Sequence, residues 1–542
     1  MQADVLIHGA QMFDGTGAPP RQADVAICAG LITHVGDGST VHADQQIDAR
    51  GQVVAPGFID IHTHSDISLL LDGRGQSKVS QGVTTEVTGN CGFSPFPINP
   101  AHMQLHLDLL AGIGDDALAL TWTDVEGYRQ EAERRGIAVN IAPLVGHGAL
   151  RIAAMGVDSA VASAEQLATM QSLLGRMLDQ GAFGLTTGLT YVPSRYAPTQ
   201  ELVSLCETLA QRQRLYASHA RDKDLHGDDH RYGPLAEALE LGRSTGARVQ
   251  YSHAAINTPS EWGSAGLWTE RFDTAVQQGV DAAFDVYPYD ASSSALTQYL
   301  PAWVQQGGVA AMRERLSDEA VMARAEADLA QGWSANRIPW LWDRVVLART
   351  DGVLGAREGQ SIEAAAAQAG MTPVRLTLAL CREGGNRIMV VLFYRTEEDM
   401  RTFLTCRHSV MGSDGSAICF DQGSRQPHPR NFGATARVLG RFVRELKDLD
   451  MATAIAKMSG RVAERLRMHD RGTLAPGKAA DIVVFDPNEV RDRATYLAPC
   501  QQSSGISHVF VNGMAVLTDG RQTAARPGRV LRATSNTRAS GP

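Results

Sequence analysis

Residues 54–64 read VAPGFIDIHTH: an apolar run of strand length that ends in two histidines, His62 and His64. Side chains alternate between the faces of a strand, so residues at i and i+2 share a face. Two imidazoles can therefore grip one metal ion at the end of this run. The pair alone reads equally well as two capping or surface histidines. The rest of the chain decides between these readings.

Working outward, similar runs follow: TTEVTGN (84–90), VNIAPLVGH (139–147), FGLTTGL (183–189), RLYASHA (214–220), RVQYSHA (248–254), DAAFDVYPY (281–289) and SVMGSDG (409–415). Helical material separates several of them, giving the βαβ rhythm of a parallel sheet. The pattern predicts a (β/α)8 TIM-like barrel over residues 59–470, in which the C-terminal strand ends carry the active site. Residues 298–350 break the rhythm and contain WSANRIPWLWD (333–343). They are expected to form an insertion whose tryptophans either cover a bulky substrate group or fill the insertion's own core. Short strands with Gly and Asp turns open the chain, in ADVLIHGA (3–10), ADVAICAG (23–30) and LITHVG (31–36). They recur in AADIVVFD (479–486), HVFVNG (508–513) and MAVLTDG (514–520). Residues 1–58 and 471–530 are thus expected to build one small β-sandwich from both termini. Residues 531–542 form an Arg/Ser/Thr-rich tail expected to be partly disordered.

Bulk properties narrow the function. The chain has 542 residues, enough for a large domain and smaller attachments. Its net charge of -9, without a Lys/Arg run, argues against a broad nucleic-acid surface. No run of about 18 apolar residues predicts a membrane span, and the N-terminus lacks the basic and apolar regions of a secretory signal. The seven scattered cysteines fit reduced thiols better than a disulfide framework, so a cytoplasmic location is expected.

The other candidate ligands fall at further strand ends. Cys91 follows TTEV in TGNCG, His219 follows RLYAS, His253 follows RVQYS and Asp414 follows SVMGS. These are all good zinc donors. Each one alone is more easily structural, but their convergence on strand ends is hard to explain by packing.

With these residues in place, the chain resembles the amidohydrolase superfamily, and within it the D-aminoacylase branch of N-acyl-D-amino-acid deacylases. PGFIDIHTHSD, GLTTGLTYVPSRYA, ASHARD, DVYPYDASSS, GSDG, HPRNFG and GKAADIVVFD carry the resemblance. The cysteine of TGNCG is the most telling, because most binuclear relatives bridge their metals with a carboxylated lysine instead. The resemblance implies zinc bound by Cys91, His219 and His253 at a tight site, with His62 and His64 at a weaker one. Asp414 would lie beside the metal as general acid/base. Zinc would activate a water, and Asp414 would carry its proton to the leaving nitrogen. Tyr191 would polarise the carbonyl oxygen. His147, in VGHGALR, either lines the pocket or is a hydrogen-bonded core residue. A small-molecule N-acyl substrate and a homo-oligomer are implied as well.

One position departs from the branch. Relatives commonly carry a lysine two residues after the second metal histidine, paired with the substrate carboxylate. Here Ala255 stands in SHAAIN. Either another cation does that work, with Arg195 and Arg221 the candidates, or the substrate lacks the carboxylate. Tyr289 and Ser293 match hydroxyl donors to the same group and would serve a neutral amide equally well. The rival functions are hydrolysis of cyclic amides or dipeptides, as in hydantoinases and dihydroorotases, and a metal-free assembly protein.

Overall fold

The computed structural model describes residues 1–113, 118–221, 233–333 and 337–534. The two ends of the chain meet in one sheet. Ile482–Phe485 pairs antiparallel with Val53–Pro56, and Ile506–Val511 lies on its other side. A four-stranded sheet of Leu31–Gly36, Asp24–Cys28, Gln2–His8 and His42–Asp48 packs nearby.

The period of two decides which core each residue serves. Val54, Ile482 and Val484 join Ile7, Val25, Ile47 and Phe510 in one apolar cluster. Their neighbours Val53, Ala55, Val483 and Phe485 point the other way, into the main core. A strand buried on both faces must be apolar throughout, and VVAP and IVVF are.

The central region is a run of parallel neighbours. Phe58–Asp60 pairs with Val83–Thr88, which pairs with Asn140–Pro143. After Leu144 the chain resumes as Val145–Gly146 beside Gly184–Gly188. Leu215–His219, Arg248–Tyr251, Ala282–Val286 and Ser409–Met411 then follow in order. A parallel bridge between Thr63 and Gly415 joins the extension of the last strand to that of the first. Parallel pairs need crossovers, and helices such as Ala164–Asp179, Thr199–Gln211, Gly233–Thr245 and Ala265–Gln277 supply them. Local chemistry sets their starts. Ser163 and Gln166 form a reciprocal capping box, and Asp124 and Thr396 cap Val125–Arg135 and Glu397–Thr405.

A second apolar unit lies in the region of the expected insertion. Its separate apolar cluster includes residues from Leu296 to Tyr394. Its antiparallel sheet is complete only when Met389–Leu392 slots between Ser292–Ala295 and Val345–Arg349. Trp333 is buried in this core, and Trp340 stacks on Trp342 at 4.1 Å between ring centroids. Residues 334–336 of WSANRIPWLWD lie outside the described residues.

Backbone hydrogen bonds hold the chain from Gly528 to Ala533. Gly528 and Leu531 donate to the carbonyls of Ile137 and Ile141, and Ala533 donates to Gly181. Free backbone groups beside Ile137–Ile141 give these residues partners that composition does not reveal. Residues 535–542 lie outside the described residues. Among the described residues no helix is long and apolar enough to cross a membrane, and all seven cysteines are free.

Candidate metal centre and active site

The strand-end residues converge. His62 Nε2 lies 3.3 Å from Cys91 Sγ and 3.4 Å from Asp414 Oδ1. His64 Nε2 lies 3.0 Å from Asp414 Oδ1. On the other side, Cys91 Sγ is 3.4 Å from His253 Nε2, which is 2.9 Å from His219 Nδ1. The donor atoms form two groups, His62–His64–Cys91–Asp414 and Cys91–His219–His253, with Cys91 in both.

The backbone is bent to achieve this. Cys91, His253 and Asp414 have φ of 55°, 38° and 54°. Left-handed non-glycine residues cost on the order of 1–3 kcal/mol each and collect at functional sites. Glycine makes the close approach feasible. A Cβ on Gly188 would collide with the carbonyl oxygen of Cys91. The Asp414 turn is tied down by its own N–H, which donates to the His62 carbonyl at 2.8 Å. Lys78 Nζ, fully buried between Asp60 and Glu86, donates to Ser413 Oγ at 2.6 Å beneath the same turn.

Burial and close charges set the electrostatics of the cluster. Burial pushes the Cys91 thiol up to about 11, with His62 opposing. Burial, with help from His253, holds His219 well below the ordinary imidazole range, and burial brings His253 to about 3. His62 goes the other way: its burial is overcome by Asp285 and by the Cys91 sulfur, which raise it well above that range. Asp414 resists its own burial because the Arg430 guanidinium, 2.8 Å from Oδ2, and the nearby histidines hold its carboxyl well below the usual value. His64 Nδ1 is buried with no hydrogen-bond partner among the described residues. His64, His219 and His253, whose burial favours the neutral imidazole, together with a thiol that a cation would ionise and a carboxylate, form a donor set that fits zinc.

Beside the cluster lies a cavity of about 480 Å³, within the size range of small-ligand sites. His64, Cys91, His219, His253 and Asp414 line it, and so do Tyr191, Arg221 and Ser293. His62 sits behind them, fully buried. The Tyr191 ring rests on His219 at 4.9 Å and on Phe93 at 4.8 Å.

Three expected substrate contacts do not line the cavity. His147 is buried against Glu201 at 2.7 Å and Ser194 at 3.0 Å, which uses both ring nitrogens. Tyr289 is turned under Arg437 and donates to the Pro429 carbonyl, while its neighbour Tyr287 takes the cavity wall. Arg195 also stands outside, and Arg221 is committed to Glu237 at 2.9 Å.

Several residues escaped the sequence reading. Asp285 lies 3.0 Å from His62 Nδ1 and accepts the His253 N–H at 2.8 Å, which orients both. Its signal was an acid within the apolar run AAFDV. Arg430 lies in HPRNFG, a motif of the resemblance that assigns it no role, and Arg395 has no local signal.

Residues 45–517 match the amidohydrolase family profile. The chain is 36% identical to an N-acyl-D-glutamate deacylase of Alcaligenes xylosoxydans xylosoxydans, over 98% of this chain and 96% of the relative. It is 35% identical to an N-acyl-D-aspartate deacylase of the same organism, over 98% and 95%. The crystal structure of N-acyl-D-glutamate deacylase from Bordetella bronchiseptica, complexed with zinc and a phosphonate mimic of the tetrahedral intermediate, superposes with a TM-score of 0.81 at 33% identity. That match covers 98% of this chain and 100% of the other. The chain belongs to the amidohydrolase family, in the branch of the N-acyl-D-amino-acid deacylases.

Proposed function

We propose that the eight parallel segments close into a (β/α)8 barrel of residues 59–470, that residues 1–58 and 471–530 form a β-sandwich beside it, and that the cavity hydrolyses the linear amide of an N-acyl D-amino acid with zinc. The parallel Thr63–Gly415 bridge supports closure of the barrel. One observation carries the function: two donor groups share Cys91 and sit against Asp414 at the cavity wall.

Cys91, His219 and His253 would hold one zinc, and His62, His64, Cys91 and Asp414 would be the donors for a second. A zinc ion held by these residues would supply positive charge to acidify a water and polarise the amide carbonyl. The protein's own residues do the rest. Arg430 keeps the Asp414 carboxylate ionised and so able to accept a proton from the attacking water. Asp414 then delivers that proton to the leaving nitrogen. Burial raises the Tyr191 phenol well above its ordinary value, so it stays protonated and can donate to the developing oxyanion. Asp285 fixes the His62 ring.

A second reading, hydrolysis of a neutral or cyclic amide, draws on the uncharged Ala255 in the cavity wall. Amine release from a matched panel by the zinc-loaded protein separates the two. The panel holds D- and L-N-acetyl amino acids, their neutral amides, and cyclic amides. The deacylase reading predicts cleavage of the D-acyl acids; cleavage confined to neutral or cyclic amides would replace it with the second reading.

A further inference from the structure

Arginines supply the fixed positive charge of the cavity wall: Arg221, Arg349, Arg395, Arg425 and Arg430. Four of them have a carboxylate of this chain beside them. Arg221 lies 2.9 Å from Glu237, and Arg430 lies 2.8 Å from Asp414. Arg349 and Arg425 face Asp351 at 3.1 Å and 3.8 Å.

Arg395 has no such partner among the described residues. Its Nε donates to the amide oxygen of Asn257 at 2.9 Å, two residues beyond Ala255. Its guanidinium carbon lies 4.6 Å from the centre of the Tyr287 ring. The ring and the Nε bond fix the plane of the group. An amide oxygen orients a cation but does not neutralise it, and the two terminal nitrogens make no hydrogen bond among the described residues. Tyr287 is itself 1% exposed, lines the cavity, and has a hydroxyl without a partner among the described residues. One wall therefore holds a preoriented, charge-unmatched fork and an unused hydroxyl, both suited to a planar anion.

We propose that Arg395, backed by Tyr287, is the specificity-determining residue that receives the carboxylate of the acyl amino acid. The inference rests on the deacylase reading but is tested apart from it by binding. An N-alkyl D-amino acid lacks the scissile carbonyl. Its affinity for the zinc-loaded protein, and that of its neutral amide counterpart, are measured by calorimetry.

Wild type is expected to prefer the carboxylate by about 10- to 100-fold, the range of a charge-assisted hydrogen-bond pair. Arg395→Met should abolish that preference, and Arg395→Lys should restore part of it. In turnover, the loss in Arg395→Met should fall on KM for the acyl acid more than on kcat. No carboxylate preference in wild type, or an intact preference in Arg395→Met, would overturn the proposal. A preference that depends on Arg395, in a protein that cleaves no acyl amino acid, would keep the carboxylate site and discard the deacylase reading.

Discussion

The strand ends and the insertion meet at one cavity but are built on different principles. The strand ends carry His62, His64, Cys91, His219, His253 and Asp414, each fixed by a backbone ladder beneath it. The insertion has its own apolar core and lends Tyr299 and Trp333 to the cavity lining, with Arg395 just after its last core residue, Tyr394. The first region holds donors for chemistry on rigid segments. The second presents side chains that choose what reaches them, on a unit with separate packing. Such a division lets a specificity wall vary without disturbing the reaction centre.

The sharpest way to break this comparison is to remove the donor common to both ligand groups. Cys91→Ala should strip the protein of tightly held zinc after dialysis and reduce amine release to background, with little change in circular dichroism. Full zinc retention in that variant would show that the two groups do not depend on the shared sulfur. A smaller effect is expected from the other side. Leu347→Ala, in the insertion core, should destabilise the protein by about 2–5 kcal/mol through the cavity it leaves. Denaturant unfolding reads the loss. Zinc per folded chain should stay the same, and a fall in it would mean that the insertion supports the metal donors after all.

The same contrast explains what could be read from sequence. Polar, metal-binding residues at the ends of apolar runs stand out because a period-two strand has little other use for them. That made HTH, TGNCG and GSDG legible. Asp285 was harder to see, because an acid inside a buried strand gives no sign of which histidine it orients. Arg395 is distant in sequence from Asn257 and Tyr287, and nothing beside Arg430 marks it as the partner of Asp414. The antiparallel sheet of the insertion is not legible in sequence, because Met389–Leu392 gains its meaning only from strands far from it in the chain. In YPY, local pattern alone did not tell which tyrosine faces the cavity, and the structure presents Tyr287 rather than Tyr289.

The central claim is that Asp414 moves the proton beside a zinc held chiefly by Cys91, His219 and His253. The most direct measurement is paired zinc content and amine release for Asp414→Asn. The account predicts a folded protein that keeps its tightly held zinc and loses about 10²–10⁴-fold in kcat, the usual contribution of general acid–base catalysis. Near-normal turnover with zinc bound would contradict it.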